Sequence, residues 1–145
     1  MEPFLKKIDL RWADLDPNYH VRHSAYYDFG AAARIDYLEN QGLTTAFMQT
    51  HGFGPVIFRE ECLFKRELRM PDQVTIDIRL CKSSPSFHKW TIRHYLYKNT
   101  DTLAAILTLD GAWLDTVRRK LTIPRAEVHE TFGNMPRDEN FEWTI

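Results

Sequence analysis

The chain has little cysteine, little glycine and no excess of charge. Its 145 residues include two Cys, six Gly and seven Pro, and 19 basic side chains face 20 acidic ones for a formal charge of −1. Two cysteines, Cys62 and Cys81, are too few for a secreted disulfide framework. Both lie in hydrophobic, strand-like runs, where a buried free thiol is expected. The sequence contains no Cys-x-x-Cys pair, no His-Glu-x-x-His and no EF-hand loop. Charge near zero argues against general nucleic-acid binding, which needs a concentrated basic surface to displace phosphate counterions. No stretch approaches the roughly 18 apolar residues of a membrane span. The opening segment, Met1 to Lys7, lacks the apolar core of a signal peptide. These absences predict a soluble, cytoplasmic protein with no nucleic-acid and no membrane partner.

What remains is ordinarily globular: 43% hydrophobic and 27% charged. That excludes a disordered tail, a coiled coil or a collagen-like fibre. The length predicts one domain over residues 1–145, large enough to fold without a disulfide or metal staple.

Periodicity sets the expected elements. Phe4, Ile8, Leu10 and Trp12 share one parity, which predicts a strand with one buried face. Continued, that parity reaches Asp14 and Asp16 as the strand ends, and Pro17-Asn18 signals a turn. Ser24 is placed to cap a helix running from Ala25 to about Asn40, with Gly42 as its stop. Ala25 to Ala33 is almost wholly apolar or small, with only Asp28 polar. The first half of this helix should therefore be buried. A short second helix is expected over Thr44 to Thr50.

Four further strands follow. Val56, Phe58, Glu60, Cys62 and Phe64 share a parity, as do Val74, Ile76, Ile78 and Leu80. Phe87 to Tyr97 is rich in aromatic and β-branched residues, and Leu103 to Leu114 is apolar on both parities. Pro124 opens a short helix ending near Gly133, and the tail from Pro136 reads as charged and irregular. A long buried helix followed by hairpin-connected strands predicts an α+β domain: an antiparallel sheet curled around one helix.

The densest polar cluster, Asp14 to His23, falls between the first strand and the start of the buried helix. Free N–H groups at a helix start can polarise a carbonyl. A nearby carboxylate can attack that carbonyl or activate water. Asp16 therefore has two readings: the cap of a turn, or the acid of an acyl-transfer site. His20 and His23 can equally be structural hydrogen-bonding residues. The spacing of these groups matches no standard zinc pattern. Asp14 has Arg11 or Arg34 as an expected partner. Glu60 intrudes on an apolar parity, so it either serves an active site or is relieved by an arginine or by a bulge near Glu60-Glu61. His94 shares parity with Trp90, Ile92 and Leu96 and reads as a satisfied core or interface histidine.

The segment Arg11-Trp12-Ala13-Asp14-Leu15-Asp16, then His20-Val21, Tyr26 and Ala33-Arg34, resembles the signature of hotdog-fold acyl-CoA thioesterases of the 4-hydroxybenzoyl-CoA thioesterase-like family. Gly54-Pro55-Val56, Arg66 to Val74 and Asp115 to Pro124 extend the resemblance over most of the chain. It implies a curved antiparallel sheet wrapped around one long helix. It also implies a homodimer or homotetramer with its active site at the dimer interface. Asp16 would be nucleophile or general base, and backbone N–H groups near His23 to Tyr26 would receive the thioester oxygen. His20 and Glu60 complete the catalytic candidates. His23, Tyr26 and Tyr19 are the candidates for substrate binding. No cofactor is implied beyond coenzyme A as part of the substrate, and an acyl-carrier protein is the alternative carrier.

The sequence departs from that family at three places. Tyr19 stands where many relatives have a small residue, and Arg22-His23 where many have paired asparagines. The loop Lys82 to Ser86 carries a single lysine where some relatives carry several basic residues. Arg59, Lys65, Arg66, Arg69 and Lys89 are the other cations available. Two rival functions stand: a non-catalytic hotdog dimer that binds an acyl group or a protein, and a hotdog enoyl-thioester hydratase.

Overall fold

The structure, a computed structural model, describes residues 3–145. Met1 and Glu2, which open the segment read above for a signal peptide, lie outside the described residues. The elements in chain order are β1 (Leu5–Ile8), a 3-10 turn (Trp12–Asp14), α1 (Ala25–Asn40), α2 (Thr45–His51), β2 (Phe53–Phe64), β3 (Val74–Asp77), β4 (Arg79–Ser83), β5 (Lys89–Lys98), β6 (Thr102–Asp115), β7 (Lys120–Leu121), α3 (Ala126–Gly133) and β8 (Arg137–Trp143). Across the sheet the order is β2, β6, β5, then β3 and β4 end to end. β1 lies beside β3, and β8 beside β4. All pairings are antiparallel except β4 with β8. The expected α+β architecture, an antiparallel sheet around one long helix, is what forms.

α1 occupies its expected span. It buries Ala25, Phe29, Ala33 and Tyr37 on one stripe, with Tyr26, Gly30 and Leu38 beside them. Spacing of three and four puts these on one helical face. Gly30 sits against the sheet, where a Cβ would meet His94 and Leu107 at 3.4 Å, an ordinary van der Waals contact. Ser24 does not cap the helix with its side chain. Its own φ and ψ are helical, and its hydroxyl accepts from the Arg22 guanidinium at 2.6 Å.

Further expectations fail for identifiable reasons. The first strand ends at Ile8, four residues early, because the chain turns into the 3-10 segment. Trp12 is accordingly 73% exposed, and the strand parity does not carry to Asp14 or Asp16. The bulge in β2 lies earlier than expected, at Phe58 between the pairs Ile57–Gly111 and Arg59–Asp110. One extra residue inverts the alternation. Pro55 and Ile57 face α1 before it, and Glu60, Cys62 and Phe64 after it. Val56 and Phe58 thus do not share a face with Glu60, and the bulge turns Glu60 towards the helix. Finally, the tail is not irregular: β8 pairs in parallel with β4.

The core has two regions. One gathers Trp90, Trp113, Phe132 and Met135 beneath the C-terminal half of α1. The other gathers Phe29, Leu68, Val74 and Leu107 beneath its first half. Gly111 is demanded by close approach. A Cβ there would lie 2.4 Å from the Trp90 ring and 2.6 Å from the Val56 carbonyl oxygen. Both cysteines are free, Cys81 buried and Cys62 half-buried. Desolvation pushes each thiol up to about 12. No helix of the described residues is long and apolar enough to cross a membrane.

Candidate active site

The loop between the 3-10 turn and α1 is closed at its base by an isolated antiparallel bridge between Leu15 and Val21. Within it, Pro17 and Asn18 form a tight turn. The Tyr19 N–H donates to the Asp16 carbonyl at 3.0 Å, and the Asp16 N–H to the His20 carbonyl at 2.8 Å. Tyr19 takes the left-handed conformation needed to return the chain, with φ +64°. Further ties fix the loop to the rest of the fold. The Val21 N–H donates to the Leu68 carbonyl at 2.8 Å, and the Arg22 N–H to the Asp14 carbonyl at 2.7 Å.

Asp14 and Asp16 are thereby given different environments. Asp14 is buried against Arg11, whose N–H and guanidinium donate to it at 2.9 and 2.8 Å. The Arg11 hydrogen bond outweighs desolvation and holds its carboxyl below the usual range. Asp14 is therefore structural, and its partner is Arg11, not Arg34. Asp16 is half-buried. Its Oδ1 accepts from the N–H groups of Asn18 at 2.8 Å and His20 at 3.2 Å. The turn-capping role expected of Asp16 is thus real, and it orients the carboxylate.

Asp16, His20, His23 and Tyr26 line one open cavity of about 300 Å³, together with Val21 and the segment Phe64 to Glu67. His20 Nε2 lies 3.0 Å from Glu67 Oε2. Glu67 also receives the Arg69 guanidinium at 2.8 Å, which is the main cause of its lowered pKa. Tyr26 is buried and stacks edge-on against Phe64 at 4.9 Å. Burial pushes its phenol up to about 12, so it stays neutral. The first turn of α1 opens beside this cavity. Because the Ser24 hydroxyl is turned to Arg22, that turn has no side-chain cap competing for its N–H groups.

Two of the expected residues fall outside this lining. Tyr19 sits on the loop but is exposed. Glu60 lies on β2 and faces Arg34, its Oε2 3.7 Å from Nη2. Arg34 in turn places Nη1 3.1 Å from His94 Nε2, and His94 Nδ1 lies 2.6 Å from the Asp77 carbonyl. Lys65 and Arg66, named in the sequence only among available cations, are brought directly to the cavity wall.

The sequence profile of the thioesterase-like superfamily matches residues 10–132. No curated protein matches the chain. Among solved structures, a hypothetical protein from Aquifex aeolicus superposes with TM-score 0.82 and 22% identity, over 90% of this chain and 99% of that one. A hypothetical protein from Staphylococcus aureus in complex with CoA gives TM-score 0.83 and 14% identity, over 94% and 88% of the two chains. A DHNA-CoA thioesterase, also from Staphylococcus aureus, gives 0.81 and 18%, over 92% and 90%. At these identities the structural likeness establishes the fold, a hotdog.

Proposed function

The chain belongs to the thioesterase-like superfamily, and from that premise we propose that it hydrolyses an acyl thioester to a free acid and a thiol. The observation that carries this reading is the shared cavity. A half-buried carboxylate, held by two backbone N–H groups, and the uncapped first turn of a buried helix bound the same space. Asp16 attacks the thioester carbonyl or takes a proton from the water that does. The carbonyl oxygen becomes an oxyanion facing the helix N–H groups, whose partial positive charge is already in place. Collapse of the adduct breaks the C–S bond, and the thiolate leaves and takes up a proton; where Asp16 is the nucleophile, water then hydrolyses the resulting anhydride, releasing the acid and restoring the carboxylate. His20, anchored on Glu67, orients Asp16 and water; His23 and Tyr26 bound the acyl group. Tyr19 is a rim contact. Within one chain Glu60 takes no step in this cavity, and a catalytic role for it requires a second copy to complete the site.

Lys65 and Arg66 at the cavity wall favour an anionic carrier. The CoA-bound structural neighbour supports coenzyme A over an acyl-carrier protein. Thiol release from short, long and aromatic acyl-CoAs tests the reading, with Asp16→Asn in parallel. Asparagine keeps the turn-capping oxygen and loses only the charge. Turnover should fall by about 10²- to 10⁴-fold in a variant that unfolds like the wild type.

The turn-capping bonds of Asp16 favour one other reading, a non-catalytic acyl-binding protein. Turnover indifferent to Asp16→Asn, or absent on every substrate, would select it.

A further inference from the structure

His20 is fixed at both ends. Its main chain is bound to Asp16, whose Oδ1 accepts the His20 N–H at 3.2 Å and whose own N–H donates to the His20 carbonyl at 2.8 Å. Its side chain reaches Glu67, on the other segment of the cavity wall, with Nε2 3.0 Å from Oε2. The residues that follow these two, Val21 and Leu68, are 5% and 0% exposed. The Val21 N–H donates to the Leu68 carbonyl at 2.8 Å, and this buried bond sets His20 beside Glu67. Glu67 is held in turn. Its Oε1 accepts from Arg69 Nη2 at 2.8 Å, and its carbonyl from Lys98 Nζ at 2.9 Å. An ion pair this exposed contributes little to stability. What the arrangement supplies is position.

The pair also fixes a tautomer. An ionised carboxylate only accepts, so the neutral imidazole carries its proton on Nε2 and its lone pair on Nδ1. Nδ1 has no partner among the described residues, and His20 lines the same cavity as Asp16. Asp16 Oδ2 is also without a hydrogen bond among the described residues, since both N–H groups fall on Oδ1. One step of the reaction needs a base other than Asp16. When Oδ2 attacks the thioester and the thiolate leaves, an anhydride joins Asp16 to the acyl group. Asp16 then has no free carboxylate to take a proton from the water that must cleave it.

We propose that His20 is the base of that second step and that Glu67 is its positioning residue. Nδ1 takes a proton from water as the water oxygen bonds to the acyl carbon. The bond from that carbon to Asp16 Oδ2 breaks, the free acid leaves, and the imidazolium returns its proton to solvent. The proposal rests on the thioesterase reading and commits Asp16 to the nucleophilic route.

Rapid mixing of the intact protein with an excess of the acyl-CoA it turns over fastest tests this, with thiol release as the signal. His20→Gln and Glu67→Ala should each release about one thiol per chain in a fast first phase, the mark of an accumulating acyl-enzyme. Steady release should then be lower by about 10²- to 10⁴-fold in His20→Gln and by at least about tenfold in Glu67→Ala. Hydroxylamine, which attacks the anhydride directly, should speed the steady phase in both and yield the acyl hydroxamate. Asp16→Asn forms no anhydride and should show neither the first phase nor the rescue. Thermal unfolding of Glu67→Ala, at an exposed position, should match the wild type, so this variant carries the test if His20→Gln disturbs the loop. No release by the wild type, or release indifferent to Asp16→Asn, overturns the thioesterase reading and this proposal with it. Asp16-dependent release in which Glu67→Ala keeps the wild-type rate, or slows without a first phase, overturns the proposal alone.

Discussion

His94 carries no charge in the folded protein, and its two neighbours explain why. Arg34 can only donate, so His94 Nε2 must accept, and the ring proton sits on Nδ1, facing the Asp77 carbonyl. Desolvation first, then the Arg34 charge, push its pKa down to about 3. An unfolded histidine titrates near 6.5. Between those values the unfolded chain binds one proton more than the native one, so stability rises with pH across that window. It is complete above about pH 6.5 and is lost as the pH falls towards 3. Urea unfolding from pH 7 to pH 4 should show this loss, at up to about 1.4 kcal/mol per pH unit. His94→Gln keeps a donor and an acceptor and should flatten the slope by one proton. Equal slopes in the two proteins would mean that His94 titrates normally. Asp77, whose pKa burial raises, acts in the opposite sense, but equally in both proteins. The spacing of the apolar residues identified His94 as a core histidine. It could not identify Arg34 as its partner, sixty positions away, because only the packing of α1 on β5 brings them together. The Asp16 cluster was more legible because Asp16, His20, His23 and Tyr26 are neighbours in the chain.

At the scale of elements, the long helix was readable from its small residues, the absence of proline and the following Gly42. β8 was not. Its sequence, Arg137 to Trp143, alternates poorly, and its partner β4 lies more than fifty residues earlier. Side chains hold it there. Asp138 is buried, receives Arg93 at 2.9 Å and the Tyr95 hydroxyl at 3.1 Å, and lies 3.5 Å from the Arg79 guanidinium. Arg79 lies over the Tyr95 ring at 4.1 Å and also donates to Asp77 at 2.8 Å. The segment lies beyond residues 10–132, the part matched to the superfamily. Asp138→Ala leaves Arg93 facing a void and should cost about 3 kcal/mol, a value at the low end for breaking a buried pair because both arginines are partly solvated. The midpoint of urea unfolding measures this. A loss below about 0.5 kcal/mol would show that β8 is held by its backbone pairing alone.

For the whole molecule the open question is what covers β2. Among the described residues this strand pairs only with β6, so its outer edge presents free N–H and C=O groups. Phe58 and Leu63 are exposed on its face away from α1, and Ile57 and Phe64 on the face towards α1, where exposed Ile35 of the helix adds to the apolar surface. Proteins seldom leave a long apolar edge open, because it is a template for pairing with another chain. A second copy satisfies both the backbone and the side chains, and two-fold pairing is the commonest closed solution. Sedimentation velocity should therefore show a dimer at micromolar concentration. If the two-fold axis crosses the middle of β2, Phe58 approaches its own copy, and Phe58→Glu sets two carboxylates against each other. That variant should sediment as a monomer while keeping its far-ultraviolet circular dichroism. If the acyl site lies between subunits, as the family resemblance implies, thiol release should fall with the dimer although Asp16 is untouched. A wild-type monomer would overturn the pairing. A monomeric Phe58→Glu with full turnover would place the whole acyl site within one chain.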